Sequence, residues 1–414
     1  MSAEATIAAG GDVGSPSRLW NRLPWWGAVL VVFGGARLWS AVVLLVVAHH
    51  QAATLWTAAD PSYLQYTGVM WDASWYRQIA EHGYPATLPV GADGLVQQNA
   101  WAFFPLFPFL VRGAMAITTG PWYVVAPIVA TLLGAVAMLV IHRLVVVGAP
   151  RAVAAHPGLP LATVLLVSVF PSSVVLQTGY TESLALLLIA GSLTALVLRR
   201  YWLTALLVLA LGFTRAVALP MALVVVVHAV VRWRRSRRGE DRLRRADVVG
   251  LGGLAVAAVV SGLAWPAICG WVTGVPDAYL QTQGSWRGDR HVVPFASWGY
   301  AATFWFGRWA PAVLIIVSVT VVVLVLSRSS RRLGPELLTW SPAYLGYLAA
   351  VIEPGTSVFR FLLLAFPMAA ITAGLPPARW RRPVLLVVVV VMAGLQVLWT
   401  YRLWRLVPPS GWPP

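Results

Sequence analysis

Lysine is missing from the chain altogether, so its 30 basic residues are all arginine. Cysteine occurs once, at Cys269 inside a hydrophobic run, which excludes an internal disulfide and a thiolate metal site. Carboxylates are scarce, 14 in 414 residues. With 11% charged and 59% hydrophobic residues, the chain has too little polar surface to cover a soluble domain of its length, and the composition is that of a polytopic membrane protein.

What is present in excess is positive charge, +16 in all, and its placement is uneven. Arg232, Arg234, Arg235, Arg237, Arg238, Arg242, Arg244 and Arg245 share one stretch. Arg328, Arg331 and Arg332 form a second cluster, and Arg379, Arg381 and Arg382 a third. Basic clusters between apolar segments mark the cytoplasmic side of a membrane protein. Their aromatic interleaving is limited to Trp233 and Trp380, which argues against nucleic acid as the partner.

The apolar pattern predicts a small polar tail over 1–20, one integral membrane domain over 21–407 and a short tail over 408–414. The first span is expected from Pro24 to Val47, long enough for a hydrocarbon core about 30 Å thick, with Arg18 and Arg22 placing its start inside. Residues 48–100 follow as a long extracytoplasmic loop holding Asp60, Asp72, Glu81 and Asp93 against Arg77 alone. The loop over 232–246 shows the opposite balance. A second outer loop is expected over 273–308.

Between these lie expected crossings at Trp122–Val147, two within Leu159–Leu198 divided by Pro171–Ser183, and a broken pair over Leu203–Val231 that bends at GFTRAVALP. Further crossings are expected at Val248–Val272, Ala310–Leu326, Leu337–Val351, Phe359–Ile371 and Val384–Leu403. Pro105 and Pro108 argue that Ala100–Val111 is kinked or re-entrant. The fold class is therefore all-α, with about ten to twelve transmembrane helices and short surface helices in the first outer loop.

The stretch Trp71–Pro85, WDASWYRQIAEHGYP, reads as one of those surface helices. Tyr76, Ile79 and Ala80 recur at helical spacing, and Gly83-Tyr84-Pro85 stops the turn. Asp72 opens it, either as a helix cap or as a chemical group. The remaining outer carboxylates are Glu182, Asp277, Asp289 and Glu353. Arg215 and Arg360 are embedded in apolar sequence and need an anionic partner, a lipid phosphate or Glu182 or Glu353, unless Arg360 snorkels to the interface. His82 lacks a second histidine at ligand spacing, so no metal site is expected there.

Taken in order, WDASWYRQIAEHGYP, AFFPLFP at 102–108, GYTESLALLLIAG at 179–191, FTRAVALP at 213–220 and FRFLLLAFP at 359–367 resemble the PIG-V type mannosyltransferases, the GPI mannosyltransferase II family and its bacterial relatives. The resemblance covers about residues 68–370. It implies a GT-C type glycosyltransferase in the cell membrane, working on the extracytoplasmic face with a polyprenyl-phosphate-mannose donor and a glycolipid or glycan acceptor. In such enzymes an acidic residue of the first outer loop is essential, and the matching position is Asp72. Glu182 is then a catalytic helper, and Trp71, Trp75, Tyr76, Tyr180, Arg215 and Arg360 are candidate substrate contacts. Neither a cofactor nor a metal is expected. Other readings are the same fold with another polyprenyl-phosphate sugar, or a lipid or glycolipid transporter, for which the charges would gather near the membrane midplane.

Overall fold

The computed structural model describes residues 23–287 and 293–407, so the expected tails, together with Arg18, Arg22 and Asp289, lie outside the described residues. The described chain is helical, with a single isolated bridge between Val90 and Val96. In chain order the helices are α1 (Trp25–His49), α2 (Tyr63–Val69), α3 (Asp72–His82), α4 (Leu106–Thr118), α5 (Trp122–Gly148), α6 (Pro150–Ala155), α7 (Leu159–Ser168), α8 (Glu182–Val197) and α9 (Tyr201–Gly212). They continue as α10 (Ala218–Arg237), α11 (Arg245–Thr273), α12 (Ala278–Gly284), α13 (Ala296–Phe306), α14 (Ala310–Leu326), α15 (Pro335–Val351), α16 (Val358–Leu362), α17 (Pro367–Gly374) and α18 (Arg381–Trp399).

Five stretches are long and apolar enough to cross a membrane: Trp25–His49, Trp122–Gly148, Arg245–Thr273, Ala296–Arg332 and Ala378–Trp404. Helix α14 makes the membrane setting plain. It is built of Val, Ile and Leu on all sides, yet Ala310 is its one buried residue. An all-round apolar helix that the protein leaves uncovered requires lipid around it. The interior is a continuous core in which α5 packs on α8, α9 on α11, α10 on α15 and α7 on α1 and α17.

Several shorter elements depart from straight crossings. Helix α4 begins at Leu106, directly after Pro105, with Pro108 in its first turn where a missing amide costs no hydrogen bond. The bend expected near Arg215 is the break between α9 and α10. The single return expected at Phe359–Ile371 is instead three pieces, α16, a 3₁₀ turn at Leu363–Ala365 and α17. The expected outer loop over 273–308 is largely helical. Its second helix, α13, runs through a 3₁₀ turn into α14, and Trp298 donates from Nε1 to the Ala349 carbonyl at 2.9 Å.

Polarity along the bundle follows from helix length. Helix α10 has 20 residues, about 30 Å at 1.5 Å per residue. Arg215 precedes its start and the arginine-rich stretch lies at its end, so the two are separated by its length. That distal end is locked by Arg232, which donates from Nε to Asp241 at 2.9 Å and from Nη1 to the Tyr201 hydroxyl at 2.6 Å. His228 meets Glu336 of α15 at 2.6 Å beside it.

Candidate active site

Helix α3 starts from a strained residue. Trp71 has φ +58°, a conformation that costs a non-glycine residue of order 1–3 kcal/mol and persists only where its surroundings enforce it. They do so here. Its buried indole donates to the Trp404 carbonyl at 2.6 Å, and its ring packs on Trp56 at 5.4 Å between centroids. Trp404 also lies against the Tyr180 ring, at 5.3 Å, and the Tyr180 hydroxyl accepts the Asp72 backbone N–H at 3.1 Å. Three residues from separate parts of the chain, Trp56, Tyr180 and Trp404, thus fix where α3 begins.

Asp72 is therefore not a helix cap. The N-cap position belongs to Trp71, which makes no side-chain capping bond, and Asp72 is the first helical residue. Its carboxylate meets Arg360, Nη2 to Oδ2 at 2.5 Å. Arg360 reaches Glu182 as well, Nη1 to Oε1 at 3.3 Å, and Glu182 takes Arg215 on the same oxygen at 2.6 Å. The chain Asp72–Arg360–Glu182–Arg215 joins α3, α16, α8 and the break before α10. Arg360 is only 5% exposed, which overturns the snorkelling alternative, and Glu182 rather than Glu353 is the partner of both arginines.

The arginines are also covered by rings. Arg360 sits 5.1 Å from the Tyr180 centroid and 5.0 Å from that of Phe361, and Arg215 sits 4.8 Å from Phe361. Cation–π contact of this kind is strongest when desolvated. Asp72, in the surface helix, feels opposing effects. Burial pushes its carboxyl above the ordinary value, while the Arg360 guanidinium draws it down, and burial prevails.

This cluster opens on a cavity of about 390 Å³, lined by Asp72, Tyr76, Arg215 and Arg360 among the expected residues. Glu182 and Tyr180 are fully buried behind it. Trp71 is occupied by Trp404, and Trp75 stacks on Phe103 at 5.7 Å with Trp286 against its edge. All four support the wall rather than line it. Beyond Glu353, read from sequence as a possible partner of the arginines, the cavity adds residues that were not singled out from sequence: Tyr279, Gln283, Trp286, Arg287, Tyr344, Tyr347 and Ser357.

No family model matches this chain, and no curated protein matches it. Among solved structures it is similar to the oligosaccharyltransferase of Archaeoglobus fulgidus crystallised with zinc and sulfate, at 15% identity and a TM-score of 0.45, covering 88% of this chain and 53% of that one. A structure of that enzyme tethered to an acceptor peptide containing the NVT sequon matches at 13% identity and a TM-score of 0.45, over 92% and 55% of the two chains. A third, the archaeal oligosaccharyltransferase AglB with an inhibitory peptide and a dolichol-phosphate, matches at 13% and 0.43, over 91% and 55%. The chain spans about half the length of these structures.

Chemically, the cavity offers one buried carboxylate, Asp72, beside buried guanidinium groups, with the exposed Glu353 elsewhere on its wall, at the end of the bundle opposite the arginine loops. Among the described residues no group of three or more His, Cys, Asp or Glu side chains could hold a metal ion. An arrangement of this kind can take a proton from a hydroxyl and stabilise an anion that departs nearby.

Proposed function

We propose that the protein is a membrane glycosyltransferase of the GT-C type, using a polyprenyl-phosphate sugar as donor and an extracytoplasmic glycan or glycolipid as acceptor. The observation that carries this reading is Asp72 on the wall of one cavity with Arg215 and Arg360. The carboxylate receives the acceptor hydroxyl proton as the hydroxyl oxygen attacks the anomeric carbon. The bond from that carbon to the phosphate oxygen breaks, and the electron pair leaves with the polyprenyl phosphate. Attack from the face opposite the leaving group inverts the anomeric centre.

The guanidinium groups stabilise the charge that accumulates on the phosphate, an interaction stronger in a water-poor cavity than in solution. Glu182 holds both arginines in place from behind. Tyr76 is the aromatic side chain of α3 that faces the sugar. The order of the sequence motifs favours mannose among the possible sugars. An extracytoplasmic cavity is supported by the arginine loops at the opposite end of the bundle, the pattern of a cytoplasmic face.

The test compares wild type with Asp72→Asn in membranes supplied with radiolabelled polyprenyl-phosphate-mannose and, in parallel, with glucose- and arabinose-bearing donors. Wild-type transfer from one donor, absent in a well-expressed Asp72→Asn variant, is the expected result. Equal transfer by the variant would remove Asp72 from the chemistry, and no transfer from any donor would remove the reading.

A further inference from the structure

Building on the glycosyltransferase reading, we propose that Arg287 is the residue that captures the phosphate of the incoming donor. The inner cluster has no charge to spare. Asp72 and Glu182 carry two negative charges, and Arg360 and Arg215 carry two positive charges, each arginine in contact with a carboxylate at 2.6 Å or less. A phosphodiester brings one negative charge into the cavity and leaves as a phosphate carrying more. Drawing Arg215 or Arg360 away to meet it would strip a buried carboxylate of its partner, which is costly.

Arg287 lines the same cavity and is differently placed. Its Nη2 donates to the Val351 carbonyl at the end of α15, at 3.1 Å, and among the described residues no carboxylate is paired with it. One neutral acceptor orients the guanidinium without cancelling its charge, and the rest of the fork can meet phosphate oxygens in bidentate fashion. Glu353, the other carboxylate on the cavity wall, is exposed and forms no ion pair with any of the three arginines.

The position is also held from the other side. Trp286, next to it in sequence, packs edge-on against Trp75 at 5.7 Å and against Phe103 at 5.5 Å. Gln283 donates to the Ala102 carbonyl at 3.3 Å. These contacts tie the segment after α12 to α3, so Arg287 is set at a fixed place relative to Asp72. A phosphate held there lies within the same cavity as the base, while the inner arginines remain paired and act on it as a preformed field.

The experiment measures binding of a short-chain polyprenyl phosphate, without sugar, to the full-length protein in nanodiscs, for wild type, Arg287→Ala and Arg287→Lys, together with donor KM and kcat. Arg287→Ala is expected to weaken binding about ten- to a hundredfold, the loss of one charge-assisted contact, and to raise donor KM with kcat at saturation nearly preserved. Arg287→Lys, which keeps the charge and loses the fork, is expected to fall between. Arg287→Ala serves only if its thermal midpoint matches wild type, and the Lys variant decides otherwise. Variants that bind the polyprenyl phosphate as wild type does would overturn the inference while leaving the glycosyltransferase reading intact. Failure of wild type to bind would end both. Inorganic phosphate and phosphatidylglycerol serve as competitors. Displacement by phosphatidylglycerol at equal concentration would assign Arg287 to bulk lipid headgroups and so overturn the proposal.

Discussion

Arg360 holds Asp72 across 288 positions of sequence, Nη2 to Oδ2 at 2.5 Å, with both side chains almost excluded from solvent. The helix that carries the carboxylate and the short helix that carries the guanidinium are joined at this contact, so the proposed base and the fold share an element. Removing the carboxylate should therefore act on both. With Asp72→Asn, transfer is expected to fall by at least the roughly 10²–10⁴-fold that a general base supplies. The measurement is turnover per mole of folded protein, with the folded fraction taken from size-exclusion profiles.

Acidity gives an independent reading of the same group. Burial raises the Asp72 carboxyl above its ordinary value in the folded protein. The folded state then binds that proton more tightly than the unfolded chain does. The resulting stability is present in full below the unfolded value near 3.9 and is lost as pH rises through the higher folded value. For activity the consequence is opposite in direction, since on the proposed mechanism the ionised form is the base. The acid limb of the kcat/KM profile is expected above the ordinary aspartate range, and Asp72→Glu, if active, should show a displaced limb. A limb at or below the ordinary range would contradict burial as the dominant influence.

Glu182 is expected to matter first for stability. It is fully buried and contacts two guanidinium groups. Breaking a buried pair by removing one partner costs about 3–5 kcal/mol, because an uncompensated charge remains. Glu182→Gln should lower the thermal midpoint of the detergent-solubilised protein markedly. The double variant Glu182→Leu with Arg215→Met, which removes both charges, should recover part of that loss without recovering transfer. Recovery of transfer would show that Arg215 acts only structurally.

The Tyr180 hydroxyl accepts the amide at the start of α3. Tyr180→Phe leaves that buried N–H without a partner, at a cost of about 1–3 kcal/mol. The expected signature is a drop in kcat larger than any change in donor KM, since the residue positions Asp72 and lies behind the cavity. A change confined to KM would argue that Tyr180 touches substrate.

How much of this was readable beforehand depended on the range of the interactions. The α3 helix and its stop were local, set by the spacing of Tyr76, Ile79 and Ala80 and by Gly83, whose φ is +81°. The break around Arg215 was legible because an arginine between two apolar runs cannot continue either of them without a partner. Pairing was not legible to the same degree. Glu182 and Glu353 were equal candidates for the arginines, and only the packing of α8 against the 3₁₀ turn at Leu363–Ala365, just after α16, separates them. Trp404 was invisible as a site element, because its carbonyl and ring reach Trp71 and Tyr180 from the far end of the chain through a π-helical turn that no periodicity announces. Asp72 as a helix cap was a sound local expectation, displaced by the strained backbone of Trp71, which tertiary contacts impose.

Sidedness can be tested with chemistry that the chain itself makes clean. Cys269 is the single thiol and is fully buried, so an introduced surface cysteine has no native competitor. Asp93 lies in the first long loop, where its carboxylate accepts the Leu95 amide and is otherwise exposed. Arg238 lies just beyond α10, at the arginine-rich end, and is also exposed. In intact cells a membrane-impermeant maleimide is expected to label Asp93→Cys and to leave Arg238→Cys untouched until lysis. The two positions stand at opposite ends of a bundle whose helix α10 is about 30 Å long, so a membrane between them must separate their reactivity. Labelling in the reverse order would put Asp72 and its cavity in the cytosol, where a lipid-borne sugar presented on the outer leaflet cannot arrive.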